Sequence, residues 1–207
     1  MLIKKSYQLI DYQFACSEMD VMKDQLKTSH HKSLIWFLEH SPVLTVGRSA
    51  TEQDVPADIQ IPVSLSNRGG KLTYHGPGQL VVYIVADLIE LNLDIRQYLN
   101  ILEDWITRVL KNFGIQSYAS KERVGIWLQD VNTLQEQKIA AFGLRVSKGF
   151  ATHGFSLNRN LDLSIYEHFT PCGLQSFGVS SLSRQNISLT FDEIVEHFLI
   201  NCPKSLF

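Results

Sequence analysis

Cys172 stands between Pro171 and Gly173, a setting that shapes a loop rather than a strand or helix. A thiol on such a loop can be presented to a substrate, and as a thiolate it is a strong nucleophile. Structural cysteines are more often enclosed in apolar elements, and residue type alone leaves both readings of Cys172 open. Cys16 and Cys202 lie in apolar helical and terminal contexts and read as structural or incidental. Lys138 opens the run KIAAFGLR. Strand alternation places it on one face with Ala140, Phe142 and Leu144. On an apolar face a desolvated lysine gives up its proton more easily and suits proton transfer. The plainer alternative is a strand-end lysine reaching solvent.

The segment from Arg68 to Gln79, RGGKLTYHGPGQ, holds four of the chain's 12 glycines, at positions 69, 70, 76 and 78. Glycine permits positive φ and close approach of another molecule, so the segment suits a ligand loop or a tight hairpin. Leu72 after Gly70-Lys71 excludes a phosphate-binding P-loop, and no G-x-G-x-x-G is present. His75, inside this segment, can serve as a base, as a hydrogen-bonding group or as a turn cap. His30, His31, His40, His153, His168 and His197 lack metal-ligand spacing, so no metal site is expected. Lys121, Arg123, Arg145 and Lys148 are expected on one basic face, either solvated or used for docking.

These residues need a scaffold. The 207 residues carry 19 Lys and Arg against 21 Asp and Glu, a net charge of −2, and 44% are hydrophobic. There is no basic excess of the kind a general nucleic-acid binder carries. Three dispersed cysteines without a C-x-x-C pair argue against a disulfide framework and a zinc ribbon. Residues 1–14 hold no apolar signal core, and the strongest apolar run, Leu80–Ala86, is too short to cross a bilayer. A reduced, soluble, cytoplasmic protein of one domain, residues 1–207, is expected.

Apolar spacing predicts helices over 13–27, 95–113 and 191–200. Asp94 caps the second, with Gly114 at its far end, and Thr190 and Glu193 form a capping box for the third. A short helix is predicted from Ser164 to Phe169, with Ser164 and Glu167 as its box. Strands are predicted at 33–39, 43–46, 61–65, 79–86, 124–128, 138–147 and 149–157, with Ser41-Pro42 as a hairpin turn between the first two. Gln79–Ala86 is apolar throughout, as a strand buried on both faces would be. Strands outnumber helices and do not alternate strictly with them. The expected class is therefore α+β or mixed α/β, a largely antiparallel mixed sheet packed by helices.

Taken together, Gly47-Arg48, RGGKLTYHGPGQLV (68–81), Gly125-Ile126-Trp127, KIAAFGLRVSKG (138–149), THGFSLN (152–158) and PCGLQSFGVSSL (171–182) resemble the octanoyl-[acyl carrier protein]:protein N-octanoyltransferases, in that family's order and over most of residues 40–185. The resemblance implies the fold of biotin ligases and lipoate-protein ligases. It implies octanoyl transfer from acyl carrier protein to the target lysine of lipoyl domains in 2-oxoacid dehydrogenases and glycine cleavage proteins, without a cofactor, nucleic acid or membrane. It points to Cys172 as acyl acceptor and Lys138 as its partner. It maps substrate contacts onto Arg68, Gly69, Gly70, Lys71, Leu72, Thr73, Tyr74 and His75, onto Ala141, Phe142 and Gly143, and onto Gly154, Phe155 and Ser156. Two positions depart from the usual pattern: Asn67 where many members have Asp, and HGFSLN where many read HGLALN.

The chemistry suits these residues. A cysteine of pKa near 8.5 is only about 3% thiolate at pH 7, and a nearby ammonium raises that share. Thioester to thioester is nearly balanced and thioester to amide runs downhill, so no ATP is needed. Three alternatives compete with this reading: an ATP-dependent lipoate-protein ligase on the same fold, a Cys172–His75 hydrolase, and a non-catalytic module that binds acyl carrier protein or lipoyl domains.

Overall fold

The computed structural model describes residues 2–120, 122–130, 133–167 and 177–206. Eight strands form the main sheet, in the order β1 (Leu2–Ile10), β2 (Ser33–His40), β6 (Gln79–Asp87), β10 (Phe150–Asn158), β9 (Glu136–Ser147), β8 (Ile126–Gln129), β7 (Ser117–Ala119), with β11 (Gly178–Val179) also on β9. A smaller sheet orders β4 (Val63–Leu65), β3 (Val43–Val46) and β5 (Leu72–His75). Among the described residues, only β1–β2, β9–β11 and β3–β4 pair in parallel.

Three helices follow the predicted apolar stripes. In α2 (Ile95–Asn112), Asp94 accepts from the Gln97 amide and Gln97 answers in a capping box, while Gly114 at φ 76 turns the chain away. α3 (Phe191–Ile200) has the predicted Thr190–Glu193 box, and α1 (Tyr12–Lys27) is capped by Asp11. The Trp105 indole donates to the Phe198 carbonyl at 2.9 Å and ties α2 to α3. These two helices cover one face of the main sheet, against Ile35, Phe37, Leu80, Val82 and Ile84. α1 covers part of the other face, against Trp36, Leu38, Val81, Tyr83 and Val85. β6 therefore buries alternate residues on both faces, as its apolar run predicts.

The structure corrects several expectations. Ser41-Pro42 is not a hairpin turn. β2 belongs to the main sheet and β3 to the small one, so the pair carries the chain between sheets. β5 lies inside the glycine-rich segment. β1 has no hydrophobic alternation because it is an exposed edge strand, steadied where Lys4 lies over the Trp36 ring at 4.2 Å. Ser164–Glu167 is a 3-10 turn whose Ser164 amide is held by Asp162 rather than by a Ser164–Glu167 box; the rest of that predicted helix, with His168, lies outside the described residues.

Replacing Asp94 with Ala is expected to cost about 1 kcal/mol through loss of the α2 cap, read as a lower urea midpoint at unchanged slope.

Candidate active site

The site begins with an irregularity in β9. Against β8, Ile126 pairs with Ala140 and Trp127 with Lys138, leaving Ile139 as an extra residue, a β-bulge. Ile139 and Ala140 both join the helix-side core, and Phe142 and Leu144 pack against it. Alternation is thereby reset. Lys138 faces away from the helices, beside Trp127 and on the side of Ala141 and Gly143. This corrects the expectation that Lys138 shares a face with Ala140, Phe142 and Leu144.

That side of the sheet faces β5 and the Arg68 loop across a cleft. One end is lined by Lys138, Ala141, Ser156, Asn158, Gln79, Thr73, Leu72, Tyr166 and Val179, with Ala140 at its edge. It adjoins a second space lined by Arg68, Thr73, His75, Val81, Tyr83, Ala141, Phe142, Gly143, Gly154, Phe155, Ser156, Tyr12 and His153. The two share Thr73, Ala141 and Ser156. From Lys138 to the position opposite His153 the cleft follows β9 for ~20 Å at a strand's rise per residue.

Lys138 is 7% exposed; its Nζ donates to the Val124 carbonyl at 3.1 Å and sits 4.8 Å from the Trp127 ring centroid. Gly125 leaves room for it, since a Cβ there would lie 2.9 Å from Lys138 Cε. β11 returns from the PCG segment to pair Val179 with Lys138, and the Ser180 amide donates to the Lys138 carbonyl at 2.9 Å. Cys172 lies outside the described residues.

The polar groups in the cleft are ordered by one another. Asn158 donates to the Ser180 carbonyl at 2.9 Å and its Oδ1 accepts from Gln79 Nε2 at 2.9 Å. Gln79 Oε1 is then left facing His75 Nδ1 at 2.6 Å, so Nδ1 carries the proton and the ring is fixed in that tautomer. Burial first, and then the neighbouring His40, hold the His75 pKa well below its usual value. His40 bonds Tyr83 Oη through Nε2 and the Ile10 carbonyl through Nδ1, each at 2.7 Å, and burial lowers its pKa to about 4. Burial pushes the Tyr12 phenol up to about 12. The Arg68 guanidinium is held by the Thr45 carbonyl and hydroxyl and by the Gly69 carbonyl. The turn before Gln79 is pinned where Glu39, paired with Arg159 at 2.8 Å, accepts from the Gly78 amide at 2.9 Å; Gly78 there has φ 84.

Of the expected substrate residues, Arg68, Leu72, Thr73, His75, Ala141, Phe142, Gly143, Gly154, Phe155 and Ser156 line the cleft. Gly69 and Gly70 shape the loop beneath Arg68, with the Gly69 amide on the Leu144 carbonyl at 3.0 Å. Lys71 turns outward to Asp54 at 2.9 Å, and Tyr74 packs with Leu44 and Leu161. Of the basic residues expected together, Arg123 lies near the start of β9 and Arg145 and Lys148 near its end. Arg123 pairs with Glu136 and stacks on Trp127 and Phe177, Arg145 and Lys148 lie by the β9–β10 turn, and Lys121 is outside the described residues. Tyr12, His40, Gln79, Tyr83, His153 and Asn158 were not singled out from the sequence. Alternation along β6 and β10 could have found Gln79, Tyr83 and Asn158. Nothing local marks His153 or His40. Among the described residues no three His, Cys, Asp or Glu side chains could hold a metal ion, and no helix is long and apolar enough to cross a membrane.

Residues 11–201 match the family described as lipoyl protein ligase A/B catalytic domain. The chain is 40% identical over 186 residues to an octanoyltransferase of Anaplasma phagocytophilum (strain HZ), covering 89% of this chain and 88% of that one. A bipartite lipoate protein ligase of Thermoplasma acidophilum superposes with a TM-score of 0.70 at 14% identity, over 99% of this chain and 82% of that one. A Helicobacter pylori biotin acetyl coenzyme A carboxylase synthetase superposes at 0.54 and 16% identity, over 100% and 76%. The fold expected from the motifs is the fold observed.

Two predictions arise from this geometry. A Cβ on Gly143 would meet Arg68 Cδ at 2.8 Å, so Gly143→Ala should displace Arg68 and cost about 1–3 kcal/mol by overpacking, read by urea denaturation. His40, His75 and His153 are buried with depressed pKa values, those of His40 and His153 near 4. Below the unfolded value of about 6.5 the unfolded chain therefore binds more protons than the folded one. Stability should fall as pH drops from about 6.5 toward 4, by up to about 4 kcal/mol per pH unit if all three stay neutral. Equal urea midpoints at pH 7 and pH 5 would contradict the neutral burial.

Proposed function

We propose a reaction path for a chain that belongs to the lipoyl protein ligase A/B catalytic domain family and, within it, to the octanoyltransferases. Its activity is acyl transfer in protein lipoylation. The observation that carries the path is a pair of adjoining spaces, one lined by buried Lys138 and the other by Tyr83, that share Thr73, Ala141 and Ser156, with Val179, which follows the PCG segment in sequence, paired to Lys138.

The octanoyl chain lies in the cleft against Val81, Ala141, Gly143 and Phe155, its carbonyl toward Lys138. Each buried CH₂ contributes about 0.8 kcal/mol, so the chain offers roughly 5–6 kcal/mol of binding before ordering costs. The donor is octanoyl-acyl carrier protein. The Cys172 thiolate attacks the thioester carbonyl, the carrier's sulfur leaves, and the Lys138 ammonium gives it a proton. The acceptor is the lysine of a lipoyl domain; the Thermoplasma neighbour is described together with its E2 lipoyl domain. That amine attacks the Cys172 thioester, an amide bond forms, and the Cys172 thiolate leaves. Neutral Lys138 takes the amine's proton, restoring its ammonium.

Incubation with octanoyl-acyl carrier protein without ATP, followed by peptide mass spectrometry, should give an octanoyl adduct on Cys172 that moves to a lipoyl-domain lysine. Lys138→Ala should slow transfer by about 10²–10⁴-fold. Normal turnover of Cys172→Ala, or activity only with ATP and free octanoate, would overturn the path and favour a ligase.

A further inference from the structure

His75 ends the hydrogen-bond relay that begins at the Ser180 carbonyl, and each step of that relay fixes the next. A carbonyl only accepts, so Asn158 turns Nδ2 to Ser180 and Oδ1 to Gln79. Gln79 therefore donates from Nε2 to Asn158 and presents Oε1 to the His75 ring. Nδ1 of His75, 2.6 Å from that oxygen, is the protonated nitrogen, and Nε2 carries a lone pair. The residue is 6% exposed. Burial and the neighbouring His40 keep the ring neutral, with a pKa well below its ordinary value.

No group among the described residues meets Nε2. Its polar neighbours are engaged elsewhere. Tyr12 stacks on the ring at 6.2 Å between centroids, and its hydroxyl bonds Ser66 at 2.6 Å. His40 lies 5.5 Å from the ring and holds the Ile10 carbonyl and the Tyr83 hydroxyl. The two nitrogens of an imidazole point apart. With Nδ1 on Gln79, Nε2 is directed away from the space that Gln79 shares with Lys138, and His75 lines the inner space with Val81 and Tyr83. A buried acceptor without a donor costs free energy, and native structures rarely keep one without a reason. Its position matches the far end of an eight-carbon chain. β10 lies between β9 and β6, and the pairs Leu157–Ala140 and Asn158–Gln79 set Lys138 two strands across and about one residue along from Gln79, ~10 Å between Cα atoms. An extended octanoyl chain spans ~9 Å from its carbonyl carbon to its last carbon.

We propose that His75 Nε2 recognises a hydrogen-bond donor at the far end of the acyl chain, so that the site takes octanoyl groups bearing a terminal hydroxyl or thiol as well as the plain chain. The proposal rests on the orientation given above, with the carbonyl at Lys138. The methylenes lie on the apolar floor of Val81, Ala141 and Gly143, and the terminal O–H or S–H donates to Nε2. A plain octanoyl chain uses the floor and leaves the acceptor unused. The relay gives the discrimination its sign: because Gln79 holds the ring proton on Nδ1, the far end of the site accepts and does not donate. A terminal group that can only accept gains nothing there.

The test is the ratio of kcat/KM for 8-hydroxyoctanoyl- against 8-fluorooctanoyl-acyl carrier protein, with a lipoyl domain as acceptor. Fluorine is close to a hydroxyl in size and cannot donate. The wild-type protein should favour the hydroxyl donor. His75→Leu leaves that hydroxyl buried without a partner and should lower the ratio at least tenfold. A wild-type ratio at or below one, or an unchanged ratio in folded His75→Leu, would overturn the proposal. An equal fall for both donors would do the same, by reducing His75 to a structural role. Should His75→Leu not fold, Gln79→Met gives the same reading: it releases the proton from Nδ1, and the ratio should fall as Nε2 ceases to be a fixed acceptor. Calorimetric titration of the wild-type protein with the uncharged N-methylamides of 8-hydroxy- and 8-fluorooctanoic acid needs no catalysis. Tighter binding of the hydroxy amide supports the site even if transfer from the carrier fails. Equal or weaker binding overturns it while leaving the transfer path standing.

Discussion

Without the extra residue at Ile139, strand alternation would carry Lys138 to the helix side of the main sheet, among Ala140, Phe142 and Leu144 and against α2 and α3. There an ammonium would meet apolar side chains, at a cost that burial of an unpaired charge makes prohibitive. The bulge moves one residue out of step, so that Ile139 and Ala140 both fill the core and Lys138 emerges opposite Trp127, over the space that Gly125 leaves open. Bulges re-aim side chains in this way at the expense of one ladder position. The far end of the cleft depends on a second break, the left-handed backbone of His153. The middle of the cleft obeys alternation and the two ends do not. Regular pleating supplies a smooth floor of Val81, Ala141, Gly143, Gly154 and Ser156, and the irregularities place the polar groups that bound it.

A gap between two sheets also constrains the groups within it. Little water reaches His75, Gln79 and Asn158, so each must find its partners in the protein or in what binds there. The chain from the Ser180 carbonyl through Asn158 and Gln79 to His75 runs in one direction and leaves no freedom in which ring nitrogen is protonated. Charge is handled differently. The histidines shed it, their pKa values lowered chiefly by burial, while Arg68 keeps it against the Thr45 and Gly69 oxygens. The cleft is therefore largely neutral between Lys138 and Arg68, a setting that suits an uncharged acyl chain.

The helices were legible in the sequence because their signals are local: an apolar stripe at 3.6-residue spacing, Asp94 and Thr190 at the caps, and Gly114 at a C-terminus. β6 was legible because a strand buried on both faces needs apolar residues throughout. The site residues in the glycine-rich and KIA segments were legible as motifs, but their directions were not. Alternation alone puts Lys138 on the wrong face because a bulge is a property of the pairing with β8, and no residue in KIAAFGLR announces it. His153 looked incidental because its φ is set by what surrounds it. Ser41-Pro42 has the composition of a hairpin turn, yet β2 and β3 part because each finds a better partner elsewhere, β6 for one and β5 for the other. Motifs reported which residues meet, and only tertiary pairing reported how they face.

On the proposed path, a single lysine also orders the chemistry. Lys138 gives a proton to the departing carrier thiolate and takes one from the arriving amine, so the group that serves the first half-reaction as an acid is the base for the second. The second half cannot precede the first, because the base exists only after the carrier's sulfur has been protonated. Both partners are proteins that must bring a reactive group to the same end of the same cleft, where Lys138, Ser156 and Asn158 line one space. Two such partners cannot occupy it together. The carrier leaves before the lipoyl domain arrives, and the acyl chain must be kept from water in between. That retention falls to the part of the cleft the partners do not touch, the apolar floor on the main sheet at Val81, Ala141 and Gly143.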